Sequence, residues 1–160
     1  MTSTTRLTTA LPRSHGALLM DLARDVSFPA DTRIFEEGSS ADRFWIIHTG
    51  TVAIDLYVPD RGHATVEMLG AGDLLGWSWL FSPHEWHFGA EAFSLVRAYE
   101  FEAAAVQALC ESDPGMGFAL ACSVAEILAH RLEATRAKLL DQYMVHGGPG
   151  LHMVHGGPGL

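Results

Sequence analysis

Between Arg61 and Arg97 the chain carries no arginine and no lysine. Basic residues are scarce throughout, 10 against 19 acidic, for a formal charge of −9. Direct contact with nucleic acid needs a net basic face, so that balance argues against it. Cysteine is scarce too. Cys110 and Cys122 are the only two, too few for a thiolate-ligated iron–sulfur cluster, and they read as small buried hydrophobes. No uninterrupted apolar run approaches the roughly 18–20 residues of a membrane span. The Thr-rich start, Met1 to Ala10, has no apolar core of a signal peptide, so no membrane partner and a cytoplasmic location are expected.

What is present is a chain of 160 residues, 48% hydrophobic and 18% charged. That suits one packed domain and not a disordered segment. Met1 to about residue 13 reads as a flexible lead, followed by a short helix over Ala17–Ala23 with Ser14 as its cap. From Ser27 to Phe101 short β-prone runs alternate with turns at Glu37-Gly38, Thr49-Gly50, Pro59-Asp60-Arg61-Gly62, Gly70-Ala71-Gly72 and Ser82-Pro83. This spacing points to a sandwich or barrel. In the run Val52 to Val58, Ile54, Leu56 and Val58 are expected to face the core and Asp55 to face out.

After Phe101 the pattern turns helical. Asp113-Pro114 starts a helix expected to reach about Tyr143. Ala121, Ala125, Leu128, Leu132, Thr135 and Leu139 repeat at heptad spacing along it, a seam suited to pairing with a second helix. A helix of this length, about 45 Å, outruns a domain of this size, so a homodimer is expected. The tail from residue 144 is a repeat, Met144 to Leu151 recurring as Met153 to Leu160. Its Gly and Pro content precludes regular structure. Its unit His-Gly-Gly-Pro-Gly resembles the oxyanion-hole loop of proline iminopeptidases. The Gly-x-Ser-x-Gly elbow that such a loop serves is missing, since Gly76-Trp77-Ser78-Trp79-Leu80 lacks the second Gly.

The densest chemistry lies at Gly72-Asp73-Leu74-Leu75-Gly76-Trp77-Ser78-Trp79-Leu80-Phe81 and the nearby Trp86-His87. A Gly-bounded strand end running into a tight turn offers free backbone N–H groups to an anion. Around it Trp77, Trp79 and Trp86 either line a pocket for a small flat ligand or fill it and extend the core. Ser78 supplies a hydroxyl and His87 the one nearby titratable group. His84 and His87 read as loop residues; the tail histidines His146, His152 and His155 invite only adventitious metal binding.

Ile34-Phe35-Glu36-Glu37-Gly38 followed by Phe44 to Val52, Gly70-Ala71-Gly72-Asp73-Leu74-Leu75-Gly76, and His130-Arg131-Leu132-Glu133-Ala134-Thr135-Arg136 resemble the cyclic-nucleotide-binding domain of the catabolite activator protein (Crp/Fnr) family. The resemblance covers roughly residues 14–143. It implies a mainly β fold with flanking helices, a double-stranded β-helix or jelly roll followed by a long dimerisation helix. It further implies a regulatory role without catalysis, exercised through a homodimer on a partner protein. The residues placed at the ligand are Gly76, Trp77, Ser78, Trp79, Trp86, His87 and, where the family sets a hydroxyl toward the base, Thr135. The departures are at the charges. The family follows its cassette Gly with Glu, which takes the ribose hydroxyl; Trp77 stands here. The family's phosphate-pairing Arg has no counterpart in Glu85-Trp86-His87-Phe88-Gly89. An Arg–phosphate contact contributes about 1.5–3 kcal/mol, so losing both readers costs about two orders of magnitude in affinity or more. Weak binding of ordinary cyclic nucleotides is therefore expected, with two outcomes open: a different nucleotide-like or flat ligand, or a ligand-free interaction protein. The family's DNA-reading helix-turn-helix has no room after Tyr143, so direct DNA binding is not expected.

Overall fold

The computed structural model describes Leu7 and residues 11–146. The repeat tail beyond residue 146, and most of the expected lead, lie outside the described residues. Within that lead, Leu7 and Leu11 are nonetheless buried. Helix α1 spans Arg13–Met20, a few residues earlier than expected. Pro12, and not Ser14, occupies its N-cap, and there is no side-chain cap bond because proline has no side-chain acceptor.

Eight strands follow: β1 (Arg24–Phe28), β2 (Arg33–Phe35), β3 (Arg43–Thr49), β4 (Val52–Val58), β5 (Gly62–Leu69), β6 (Leu74–Leu75), β7 (Gly89–Ala92) and β8 (Val96–Glu102). They form two four-stranded antiparallel sheets ordered β1-β8-β3-β6 and β2-β7-β4-β5. This is the expected jelly-roll arrangement. Phe44, Ile47, Val52, Leu74, Leu75, Val96 and Phe101 are buried in it. Each buried side chain of this size contributes about 1.5–3 kcal/mol through area removed from water.

Strand β4 departs from the expected burial at Asp55. Asp55 is buried, only 4% exposed. The extra residue in the β4–β5 ladder is Val66 of β5, skipped between Glu67 and Thr65, and β4 itself stays in register with β7, where Asp55 faces Gly89. Asp55 is buried because Arg33 reaches over Gly89 to cover it. The buried carboxylate is met by the Arg33 guanidinium, Nη1 to Oδ2 at 2.5 Å and Nη2 to Oδ1 at 3.2 Å. Asp55 holds Arg33 above its ordinary value, with Glu36 adding to the effect. The pair is seated over Gly89, where a Cβ would lie 2.2 Å from Arg33 Nη2 and 2.4 Å from Asp55 Oδ1.

Helices α2 (Ala103–Ser112) and α3 (Pro114–His146) complete the described chain. The Asp113 carboxylate accepts the Met116 N–H at 3.1 Å, the side-chain capping expected of Asp before a helix. The chain divides into two units, residues 1–127 and 128–160. In the first, Met116, Leu120, Val124 and Ile127 of α3 are buried. In the second, Leu132 is 71% exposed and Leu139 53%. Helix α3 contains an 18-residue window of mean hydropathy 1.2, long and apolar enough by length and composition to cross a membrane. Counting uninterrupted apolar runs missed this, because small and polar residues interleave the apolar ones. One such helix is weak evidence of a span, since a helix that feeds a protein core meets the same criterion. The cysteines also differ from expectation: Cys110 is half-buried and Cys122 exposed. Cys122 falls on the outward side of α3, beside buried Ser123 and Val124.

Candidate functional site

The turn at Gly70–Gly76 is built by backbone bonds to β3. Ile47 N–H donates to Asp73 O at 3.0 Å, and Gly72 N–H to Ile47 O at 2.7 Å. The Asp73 carboxylate folds back to accept the Gly70 N–H at 2.8 Å. Leu74 and Leu75 pair with Ile46 and Trp45. The chain then turns at Gly76 with φ +93°, in the left-handed region that only glycine enters freely. A short 3₁₀ turn, Ser78–Leu80, follows.

The next segment returns across this turn. Ala41 N–H donates to His84 O, Trp86 N–H to Ser39 O and Gly38 N–H to Trp86 O, at 2.7, 2.8 and 2.8 Å. These three bonds fix Trp86 in the interior, where it is 4% exposed. Its ring tip lies against Gly76, so close that a Cβ there would sit 2.8 Å from Cη2 and from Cζ3. Its face stacks on Phe35, centroids 3.9 Å apart at 13°. The space above the cassette glycine is thus filled by an indole.

The other expected residues fall into three groups. Trp77 is half-buried and stacks on His87 at 4.8 Å and 24°. Ser78 is buried, its Oγ 2.9 Å from His87 Nδ1 and accepting the His87 N–H at 3.4 Å. Its hydroxyl is therefore engaged by His87. Trp79 leaves the cassette altogether. It is 2% exposed and stacks on Phe44 at 4.8 Å, which stacks on Phe101 at 4.7 Å. Thr135 lies in the second unit on an exposed stretch of α3, its Oγ1 donating to Arg131 O at 2.8 Å. Of the seam residues, Ala121, Ala125, Leu132, Thr135 and Leu139 are exposed and Leu128 is half-exposed.

Sequence reasoning missed three residues around Trp86. Phe35 and Trp45 stack at 5.7 Å, and Trp45 Nε1–H donates to Glu100 Oε2 at 3.0 Å. The signal was available: Glu100 is a lone acid between the apolar Ala98 and Phe101 of β8. Among the described residues no group of three or more His, Cys, Asp or Glu is placed to hold a metal.

The model of the cyclic nucleotide-binding domain matches residues 25–113, more than half of the chain. The chain belongs to the cyclic nucleotide-binding domain family. Its curated relatives include the CRP-like cAMP-activated global transcriptional regulator of Mycobacterium tuberculosis, 29% identical over 130 residues. That match covers 81% of this chain and 56% of the relative, so the chain spans little more than half of that protein's length. Among solved structures, a cyclic nucleotide-binding domain from Methylobacillus flagellatus KT superposes with a TM-score of 0.77 at 18% identity, covering 85% of this chain and 80% of the other. The Thermus thermophilus catabolite activator protein does so at 0.69 and 22% identity, covering 83% and 61%. These two show the fold. The chain is a cyclic nucleotide-binding-type module.

Proposed function

We propose that this module regulates a partner protein and that Trp86 closes its cassette to ordinary cyclic nucleotides. The observation that carries the reading is the indole of Trp86 against Gly76. The turn retains positive φ at Gly72 and Gly76, +86° and +93°, but the N–H groups of Gly70, Gly72 and Asp73 are already engaged within the protein. The space a phosphate needs above it holds an aromatic ring, and the residue after Gly76 is Trp77. Signalling then runs through a homodimer paired along Ala121, Ala125, Leu128, Leu132, Thr135 and Leu139. The exposure of Leu132 and Leu139 supports that pairing, because large apolar side chains repeating at heptad spacing are stabilised by a partner helix. With 19 acidic and 10 basic residues, a protein partner suits the surface better than DNA does.

A second reading, a ligand-free interaction protein, is favoured by the same filled space and by Ser78 and His87 engaging each other. A thermal-shift series with cyclic AMP, cyclic GMP and other flat metabolites separates the two. A ligand at 100 times its dissociation constant adds about 2.7 kcal/mol of stability. A clear rise with a flat molecule other than the two cyclic nucleotides supports a remodelled sensor. No rise with any of them supports the scaffold, and a rise with cyclic AMP at micromolar concentration contradicts both.

A further inference from the structure

The far face of the Trp86 cluster borders a cavity of ≈ 280 Å³. Phe28, Phe35, Trp45 and Trp86 supply its aromatic walls, and Asp42, Arg43 and Glu100 its charges. Its volume falls just below the roughly 300–1,000 Å³ typical of ligand pockets, so it suits a small molecule. It lies among β1, β2, β3 and β8, and its lining residues Trp86 and Arg43 also border Gly76.

The rings are held rigidly. Phe28 meets Trp45 edge-on at 6.1 Å and 77°, and Phe35 lies nearly parallel to both indoles. Trp45 donates its N–H to the Glu100 carboxylate at 3.0 Å. A charged acceptor on the indole N–H polarises the ring and enriches its face in negative charge, which strengthens its attraction for a cation. Glu100 is buried and also accepts from Arg24 and from Arg43, the latter at 3.3 Å. Arg43 is further tied to Asp42 at 3.1 Å, which holds it above its ordinary value. Arg24, Arg43, Asp42 and Glu100 sum to zero, so no net charge at the cavity opposes a monovalent cation. The whole chain, at −9, attracts cations and disfavours anions.

We infer that this cavity binds a small organic cation, an ammonium group carried on a compact or flat apolar body. The ring faces supply the attraction and Asp42, at the exposed mouth, supports it. The inference is independent of whether the cassette accepts a nucleotide.

Choline, its neutral isostere 3,3-dimethylbutan-1-ol and the anion benzoate test it, each titrated into the full chain and followed by tryptophan fluorescence. Trp45 and Trp86 are the reporters. Choline is expected to give a saturable change with an affinity at least about tenfold above the neutral isostere, and benzoate none. Asp42→Arg places a positive charge at the mouth on a side chain that is 65% exposed, so the fold tolerates it. It is expected to weaken choline at least about fivefold and to leave the isostere unchanged. No saturable choline response, equal binding of the isostere, stronger binding of benzoate, or indifference to Asp42→Arg in a variant of unchanged melting temperature would each overturn the inference.

Discussion

Trp86 stands over Gly76 with no room for a single added carbon, since a Cβ at that glycine would be 2.8 Å from the indole edge. The two residues are brought together by different means. Gly76 ends the turn in a left-handed conformation, while Trp86 is pinned by backbone bonds of residues 38, 39 and 86. Each constrains the other, and the cassette is closed as a result.

Gly76→Ala is expected to destabilise the fold by about 2–4 kcal/mol in urea denaturation, from the positive φ and the collision together. Gly38 provides the comparison. It has φ +85° but nothing within 4 Å of an added Cβ, so Gly38→Ala is expected to cost only about 1 kcal/mol. In a Trp86→Leu background the cost of Gly76→Ala is expected to shrink, as a double-mutant cycle on contacting residues shows. Strict additivity would contradict the contact.

Asp55→Asn removes the carboxylate that holds Arg33. Breaking a buried ion pair costs roughly 3–5 kcal/mol. Arg33 keeps 27% of its side chain exposed, so the expected loss is at the lower end, about 3 kcal/mol. A loss under about 1 kcal/mol by equilibrium denaturation would mean that the pair is solvated and behaves as a surface ion pair.

The two cysteines are expected to react differently. Burial, with Asp113 adding its charge, pushes the Cys110 thiol up. A raised pKa leaves less thiolate at a given pH, and thiolate is the reactive form. Alkylation monitored by mass spectrometry near pH 8 is expected to label exposed Cys122 several-fold faster than Cys110. The gap is expected to narrow as pH rises toward Cys110's own titration. Faster labelling of Cys110 would place it at the surface.

Leu132→Glu combined with Leu139→Glu sets charges into the α3 seam. If the seam pairs two chains, sedimentation is expected to show a dimer for the native chain and a monomer for the variant. An unchanged dimer would move the interface elsewhere.

Much of the fold was legible because its punctuation is chemical. Gly38, Gly50, Gly62, Gly72 and Gly76 all take positive φ, so the turns were visible as glycines before any strand was placed. Asp113-Pro114 marked the start of α3 for the same kind of reason. Asp55 was misread because it is buried by a residue of a distant strand, Arg33, which covers it across Gly89; period-two alternation gives the direction of a side chain and not what lies over it. At the cassette, the absence of Arg and Lys between Arg61 and Arg97 was plain in the chain. The direction in which each aromatic points was not. Trp79 and Trp86 have the same chemistry and lie a few residues apart. One stacks on Phe44 and the other on Phe35, a choice set by long-range backbone bonding that no local pattern encodes.

Isothermal titration of the native chain with cyclic AMP tests the closed cassette most directly. With Trp86 over Gly76 and no guanidinium for the phosphate, the expected result is no binding at or below about 10 μM. A dissociation constant in the micromolar range or tighter would show that the indole yields its place to the nucleotide and would contradict the account.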